Sequence, residues 1–552
     1  MESLAKIPRS RRAQLAAAAL VALFLLPPPD LVQANQSEVD VIITYSRMPD
    51  DKERKRIDKL GGRLKRSYSR LPMLVLRVPE NKLHKLPEGL GVVSVSADGE
   101  VAALMTEARP TANDPLSGSL AAFRGSGVTV AIVDSGIAPH PDLPAGIEQY
   151  SFLDGAYAGA PELLGASVPL ADPLGHGTHI AGIIAGSGAA SGGAYRGLAT
   201  DAGLLSLRVL DGNGRGVVSD TIAALDWLLM YGAYYNVRVV NMSLGKAVEE
   251  STLADPLVLA AERLWDAGYV VVCAAGNYGR GGSFTVISPA NSRKVITVGS
   301  LTDNNTGLDF ADDYVSTFSS RGPTLLDHVV KPDLVAPGNR VVSTASAGST
   351  LVLSLPSRVV PCSAPGCSAD YLEMSGTSMA APLVAAAAAM MIGAEPTLNP
   401  GTVKARLMRS TRKRNDDATA AGTGVLDVTA AMQETGWVPT APSPRIARSG
   451  DGPVILVENT GQLWGSDAWS AGYLWSDASL WSSGYLWSDG YLWSDGFLWS
   501  DGYLWSDALL WSDAFLWSDA FMWSDAYLWP DSVADDEPLY SSSTSGLILD
   551  DD

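Results

Sequence analysis

The sequence predicts an α/β fold, a parallel sheet with helices on both faces, preceded by a small α+β module and followed by a β-rich hexapeptide-repeat tail. Three observations predict it. Strand-like and helix-like apolar runs alternate over 202–210, 219–230, 237–243, 256–267, 269–275 and 295–300, the pattern of parallel strands joined by crossover helices. Residues 38–105 instead alternate short apolar runs with charged stretches. From Trp469 to Trp529 a tryptophan recurs every six residues, eleven in all, which marks a repeat.

At 552 residues the chain is too long for one ordinary core, so two or three domains are expected. Arg9, Arg11 and Arg12 precede an apolar run over 15–26, and Val32-Gln33-Ala34 follows. This is the layout of a secretory signal peptide over 1–34, cleaved after Ala34. An apolar run of about a dozen residues is short of the roughly 20 that span a bilayer, so export is expected rather than a membrane anchor.

In the module at 38–105, the runs 39–45, 71–78 and Val92-Val93-Ser94-Val95-Ser96 read as strands, and 50–60 as a charged helix. The stretch 104–113 that follows is loose and polar.

Val128-Thr129-Val130-Ala131-Ile132-Val133-Asp134-Ser135-Gly136-Ile137 reads as a buried strand that delivers Asp134 to the carboxyl edge of the sheet, where open α/β sheets place their ligands. In Gly175-His176-Gly177-Thr178-His179-Ile180-Ala181-Gly182, His176 opens a helix and the flanking glycines permit close packing. His179, three residues into the apolar run, is expected to be a satisfied core residue. Val270-Val271-Val272-Cys273-Ala274-Ala275-Gly276-Asn277 is another buried strand ending in a polar residue. Ser375-Gly376-Thr377-Ser378-Met379-Ala380-Ala381-Pro382 runs into an alanine-rich stretch, which sets the Ser378 hydroxyl at the N-terminus of a buried helix. Negative charge developing there meets the positive end of the helix dipole and a backbone N–H.

Asp134, His176 and Ser378 follow one another in the order of the subtilisin triad rather than of chymotrypsin or the α/β hydrolases. The four stretches around Asp134, His176, Asn277 and Ser378 resemble the motifs of the subtilisin-like serine proteases over roughly 115–435. Weaker similarity reaches back through a propeptide of that family's type at 38–105. The resemblance implies a serine endopeptidase with Ser378 as nucleophile, His176 as general base, Asp134 as its orienting acid and Asn277 in the oxyanion hole, all within a catalytic domain at 113–438. It implies that Ser243-Leu244-Gly245 and Ala274-Ala275-Gly276 form the walls that grip the substrate. It also implies that the module at 38–105 is an intramolecular chaperone and inhibitor, released by self-cleavage within 104–113; a permanent N-terminal domain is the alternative. No cofactor is required for such chemistry. Structural calcium is common in the family, but no Asp-rich loop here has the ligand spacing of a calcium site. The segment Lys331-Pro332-Asp333-Leu334-Val335-Ala336-Pro337-Gly338 also matches a family segment and is expected to be structural.

Cys362 and Cys367 bracket Ser-Ala-Pro-Gly, and in an oxidising compartment a disulfide between them is expected. Cys273, in the apolar strand before Asn277, is expected to be a buried, inert thiol.

Residues 439–460 read as a linker from their Pro, Ser and Arg content. The repeats fill 461–531, in units such as Tyr491-Leu492-Trp493-Ser494-Asp495-Gly496, and 532–552 form an acidic end. Asp-Gly at Asp489, Asp495 and Asp501 signals hairpins, whereas Asp-Ala at Asp507 and Asp513 does not, so a hairpin meander and a stacked solenoid both remain open. Residues 461–552 carry sixteen Asp and Glu and no Lys or Arg, which leaves only −4 of the chain's −20 for everything before them. Acidity is a property of the tail and gives no reason to expect a nucleic-acid partner.

The expected whole is a secreted serine endopeptidase acting on proteins or peptides, inhibited by its own propeptide, with a tail that self-associates or binds a surface. The rival is a surface-binding or assembly protein whose protease-like domain is secondary or inactive.

Overall fold

The computed structural model describes residues 38–89, 91–103, 123–153, 166–303, 310–362, 369–413, 416–448 and 454–457. The signal peptide, the 104–113 junction, Cys367, the hexapeptide repeats and the acidic end lie outside these residues.

The N-terminal module contains β1 (Glu38–Tyr45), α1 (Asp51–Lys59), β2 (Arg63–Ser67), β3 (Met73–Pro79), β4 (Val92–Ala97) and β5 (Glu100–Ala103). The first four strands form an antiparallel sheet in the order β2-β3-β1-β4. Asp50 caps α1 by accepting from the Lys52 and Glu53 backbone N–H groups. Strand alternation gives the sheet two apolar faces. Val41, Ile43, Tyr45, Leu74, Leu76 and Val78 join Ile57 of α1 in the module's own core. Ile42, Met73 and Val75 point the other way and belong to the main core of the molecule. The module is therefore docked by a whole sheet face.

The main body carries a nine-stranded sheet built from β6 (Thr129–Asp134), β7 (Glu148–Ser151), β8 (Ala166–Ser167), β9 (Gly203–Arg208), β11 (Val237–Met242), β13 (Val270–Ala274), β14 (Ile296–Thr302), β15 (Tyr314–Val315) and β16 (Leu334–Pro337). Their order is β15-β14-β13-β11-β6-β9-β7-β8, with β16 also on β14. The apolar runs lacking polar alternation pair in parallel and are buried, as β13 is along its whole length. The all-parallel expectation needs correcting, because β8 and β15 pair antiparallel at the rims and the sheet is mixed. Each is two residues long, too short to leave a period in the sequence.

Helices flank this sheet. The helix opening at His176, α2 (His176–Ala185), packs on α5 (Thr377–Ala394), and α5 runs along β11, β13 and β14. Two more, α3 (Val218–Tyr231) and α4 (Pro256–Asp266), pack on each other. By length and composition α5 could cross a membrane, yet 89% of it is buried inside the protein. A helix apolar all round has that second home, the centre of a large soluble core.

Between these elements lie β10 (Arg215–Val217) and β12 (Leu244–Gly245), which form a separate three-stranded sheet with β5 of the N-terminal module at its centre. A further small sheet joins β17 (Val341–Thr344), β18 (Val359–Val360) and β19 (Tyr371–Met374).

The segment from 439, read as a linker, is docked on the body through Ile446. Ala441 and Ser443 are buried, the Val330 N–H donates to the Pro444 carbonyl, and the Ile446 N–H donates to the His328 carbonyl. Beyond it β20 (Arg445–Arg448) pairs with β21 (Val454–Val457) as an antiparallel hairpin. Pro and Ser content signals the lack of a regular element, not the lack of packing.

Candidate active site

Each predicted functional residue lies where a parallel strand ends or a helix begins. Asp134 is the last residue of β6, His176 the first of α2, and Ser378 the second of α5; Asn277 follows β13, and Ser243 follows β11. All are on the carboxyl edge of the sheet, where strand ends leave a crevice.

The Asp134–His176 contact depends on two glycines. A Cβ at Gly177 would stand 2.1 Å from the Gly136 carbonyl oxygen, and Gly136 itself has φ +116°. Without side chains there, the start of α2 reaches the turn after β6. His176 Nδ1 then donates to Asp134 Oδ1 at 2.7 Å, with both side chains fully buried. The Ser135 N–H donates to the same oxygen at 2.8 Å. His176 Nε2 has no hydrogen-bond partner among the described residues.

Ser378 Oγ donates to the Ser243 carbonyl at 3.2 Å, and Ser243 Oγ returns a bond to the Ser378 carbonyl at 3.1 Å. Ser378 Oγ is thus turned to the Ser243 carbonyl and makes no hydrogen bond to His176 Nε2 in this structure. Asn277 is oriented by Thr377, whose N–H and Oγ1 both donate to Asn277 Oδ1, at 2.9 and 3.0 Å. That fixes the amide's flip and leaves Nδ2, which has no hydrogen-bond partner among the described residues, as the uncommitted donor.

The two expected substrate walls differ. Leu244 and Gly245 pair antiparallel with Ala103 and Ala102 of β5. Ala274, Ala275 and Gly276 are bonded within the body: the Ala275 N–H reaches the Val298 carbonyl, and the Gly276 N–H reaches Thr377 Oγ1. β5 is thus gripped by β12 on one side and β10 on the other, and the Ala103 N–H donates to the Gly214 carbonyl at 3.0 Å.

Sequence reasoning missed Asp172. It is fully buried and accepts from the Gly175 N–H, the Thr178 N–H, Thr178 Oγ1 and Ser135 Oγ, at 2.7–2.8 Å. Burial pushes its carboxyl above the ordinary range, against the pull of those bonds. It ties the start of α2 to the turn after β6 and so holds His176 against Asp134. An acid four residues ahead of a helix-opening histidine was the available signal.

His179 is buried in the core as expected but only partly satisfied, since its Nδ1 has no hydrogen-bond partner among the described residues. Its Nε2 lies 3.1 and 2.8 Å from the Val341 and Leu372 carbonyls, and burial pushes its pKa down to about 3. Cys273 is free and buried, its thiol pushed up to about 12 by burial, well outside the range of a reactive thiolate. Cys362 is disulfide-bonded. Among the described residues no group of three or more His, Cys, Asp or Glu is arranged to hold a metal ion.

Residues 125–425 match the Subtilase family. Serine protease AprX of Bacillus subtilis (strain 168) is 38% identical over 377 residues, covering 66% of this chain and 80% of that protein. Subtilisin E of the same organism is 29% identical over 395 residues, covering 71% and 88%. Among solved structures, fervidolysin from Fervidobacterium pennivorans, described as a keratinolytic enzyme related to subtilisin, superposes with a TM-score of 0.56 at 21% identity. That match covers 74% of this chain but only 62% of fervidolysin, less than two thirds, and it speaks to the fold alone.

Proposed function

The chain belongs to the subtilase family and is a serine endopeptidase, and from that premise we propose that it is a secreted, self-processing zymogen whose triad is Asp134, His176 and Ser378. Ser378 Oγ attacks the scissile carbonyl while His176 Nε2 takes its proton, and the imidazolium returns it to the leaving amine. Asp134 holds the tautomer with the Nδ1 proton and stabilises the imidazolium. The Asn277 amide and the Ser378 N–H stabilise the tetrahedral oxyanion. Water then hydrolyses the acyl-enzyme by the same steps.

The observation that carries the zymogen reading is the position of β5. It lies as a peptide would between two gripping strands, and its last described residue, Ala103, is opposite Leu244. Leu244 is the neighbour of Ser243, whose carbonyl receives Ser378 Oγ. Strand β5 runs from its place opposite Gly245 to its place opposite Leu244, toward Ser243, which supports self-cleavage within 104–113 with the module left as a bound inhibitor. The docking contacts suit that role. Arg66 makes a 2.6 Å ion pair with Asp220, Tyr68 OH donates to the Ser219 carbonyl at 3.0 Å, and the Asp226 carboxylate accepts from the Ser69, Arg70 and Leu71 N–H groups. N-terminal sequencing of the mature enzyme tests it; a first residue between 105 and 114 is expected, and an N-terminus still at 35–38 in active enzyme would overturn it.

Asn277→Ala is expected to lower kcat by about 10² to 10³, the order known for the matching donor in subtilisin. KM should move much less, because the lost bond strengthens only as the carbonyl becomes tetrahedral. Steady-state kinetics on one peptide substrate checks this; a large rise in KM with kcat intact would put Asn277 in ground-state binding.

The signal peptide at 1–34 supports export, and the Trp-Ser-Asp repeats support a tail for self-association or surface attachment. Every proposed catalytic residue precedes position 460. Truncation after 460, which spares the β20–β21 hairpin, is expected to keep kcat/KM on a small soluble peptide within a few-fold and to abolish association, as read by light scattering. Equal association of the truncated and full chains would remove the tail from that role.

A further inference from the structure

Resting on the reading of β5 as a substrate-like strand, we infer that Arg215 gives this protease a preference for an acidic residue three positions before the residue that Ala103 represents. In the β10–β5 pairing Arg215 is opposite Ala102, Gly216 opposite Val101, and Val217 opposite Glu100. Residues two apart on a strand share a face, so Arg215 and Glu100 are diagonal neighbours on one side of the sheet. Their side chains meet there, Arg215 Nε lying 3.3 Å from Glu100 Oε1. The next residue, Val101, turns to the other side and is fully buried in the main core.

The guanidinium is carried by a firm turn. Asp211 Oδ1 accepts from the Arg215 N–H at 2.9 Å and from the Asn213 N–H at 2.8 Å, and the Asp211 N–H donates back to the Arg215 carbonyl at 2.8 Å. Strand β10 therefore presents Arg215 at a fixed register beside whatever chain lies in the groove. Backbone bonds hold that chain regardless of its sequence, as the Ala103 N–H to Gly214 bond does. A peptide that takes the place of β5 sets its own side chain where Glu100 stands. Carboxylate there meets Arg215, amide loses the charge, and ammonium is repelled.

Both side chains are nearly half exposed, at 43% and 48%, so the discrimination is modest and salt-sensitive. The test uses the self-processed full chain and three internally quenched peptides, X-Val-Ala-Ala-Leu-Met-Thr-Glu, with X as Glu, Gln or Lys, copying residues 100–107. The wild type should show kcat/KM falling from Glu to Gln to Lys by about threefold per step at low salt, the range of an exposed ion pair, and the steps should shrink in about 1 M salt. Arg215→Gln should flatten the series and Arg215→Glu should reverse it. Ratios between peptides within one variant are independent of how much of that variant folds. A flat wild-type series, or one that keeps its order in Arg215→Glu, overturns the inference while leaving the groove reading standing. Failure to cleave any of the three overturns both.

Discussion

Ser378→Ala is expected to lower kcat on a denatured protein substrate by about 10⁶, the order seen when a subtilisin loses its nucleophile. The hydroxyls of the neighbouring Ser243 and Ser375 are already engaged. The Ser243 Oγ donates to the Ser378 carbonyl, and Ser375 Oγ is engaged with Asn339 and the Arg340 N–H. The same variant should accumulate as an uncleaved precursor, because one serine would perform both the external and the internal hydrolysis. Gel mobility and intact mass distinguish the forms. A precursor that matures in the variant without added protease would separate the two reactions and remove self-processing.

The largest expected loss of stability lies away from the groove. Asp333 is fully buried between two lysines, its Oδ2 2.7 Å from Lys331 Nζ and its Oδ1 3.3 Å from Lys404 Nζ, with all three side chains shut off from solvent. Lys404 Nζ also donates to the carbonyls of Arg293, Lys294 and Val295 and to Ser443 Oγ. Burial pushes both lysines down from their ordinary range. Burial also works against the Asp333 carboxylate, but the two ammonium groups win and hold its pKa below the ordinary range. Ser443 Oγ donates to Asp333 Oδ1 at 2.5 Å, so this knot also fastens the segment after 439 to the body.

Asp333→Ala leaves two buried ammonium groups without their carboxylate, and should cost about 3–5 kcal/mol, a large share of a typical domain's stability of about 5–15 kcal/mol. Urea unfolding in a Ser378→Ala background, where self-digestion cannot interfere, measures it. Lys294→Ala is the contrast, since its pairs with Glu262 and Asp266 are partly exposed and should be worth at most about 1 kcal/mol. Equal effects from the two substitutions would mean that the buried knot contributes little.

The proposed catalytic residues are those that the sequence announces locally. Asp134 ends an apolar β-branched run, His176 sits between glycines that only close packing requires, and Ser378 opens an all-apolar helix. The strands followed for the same reason, since a parallel strand buried on both faces cannot hide its composition. What stayed hidden was relational. Asp172 acts on residues 37 positions back and six ahead, and Ser443 meets Asp333 110 positions away. Lys331-Pro332-Asp333 was expected to be structural, but nothing in that segment names Lys404 as its third member. The rim strands β8 and β15 are too short to carry a period, and the docking of 439–446 rests on backbone bonds together with the Ser443 side chain, neither of which local composition reports. Arg215 is a surface arginine in the sequence; only the pairing of β10 with β5 sets it beside Glu100.

Covalent labelling tests the assignment of the nucleophile most directly. Matured enzyme is treated with a serine-directed sulfonyl fluoride, its residual hydrolysis of a denatured protein is followed with time, and the digest is mapped by mass spectrometry. The expected result is a single adduct on Ser378, with activity lost in proportion to its occupancy. Activity that survives full labelling of Ser378, or that disappears through an adduct elsewhere while Ser378 is unmodified, would contradict it.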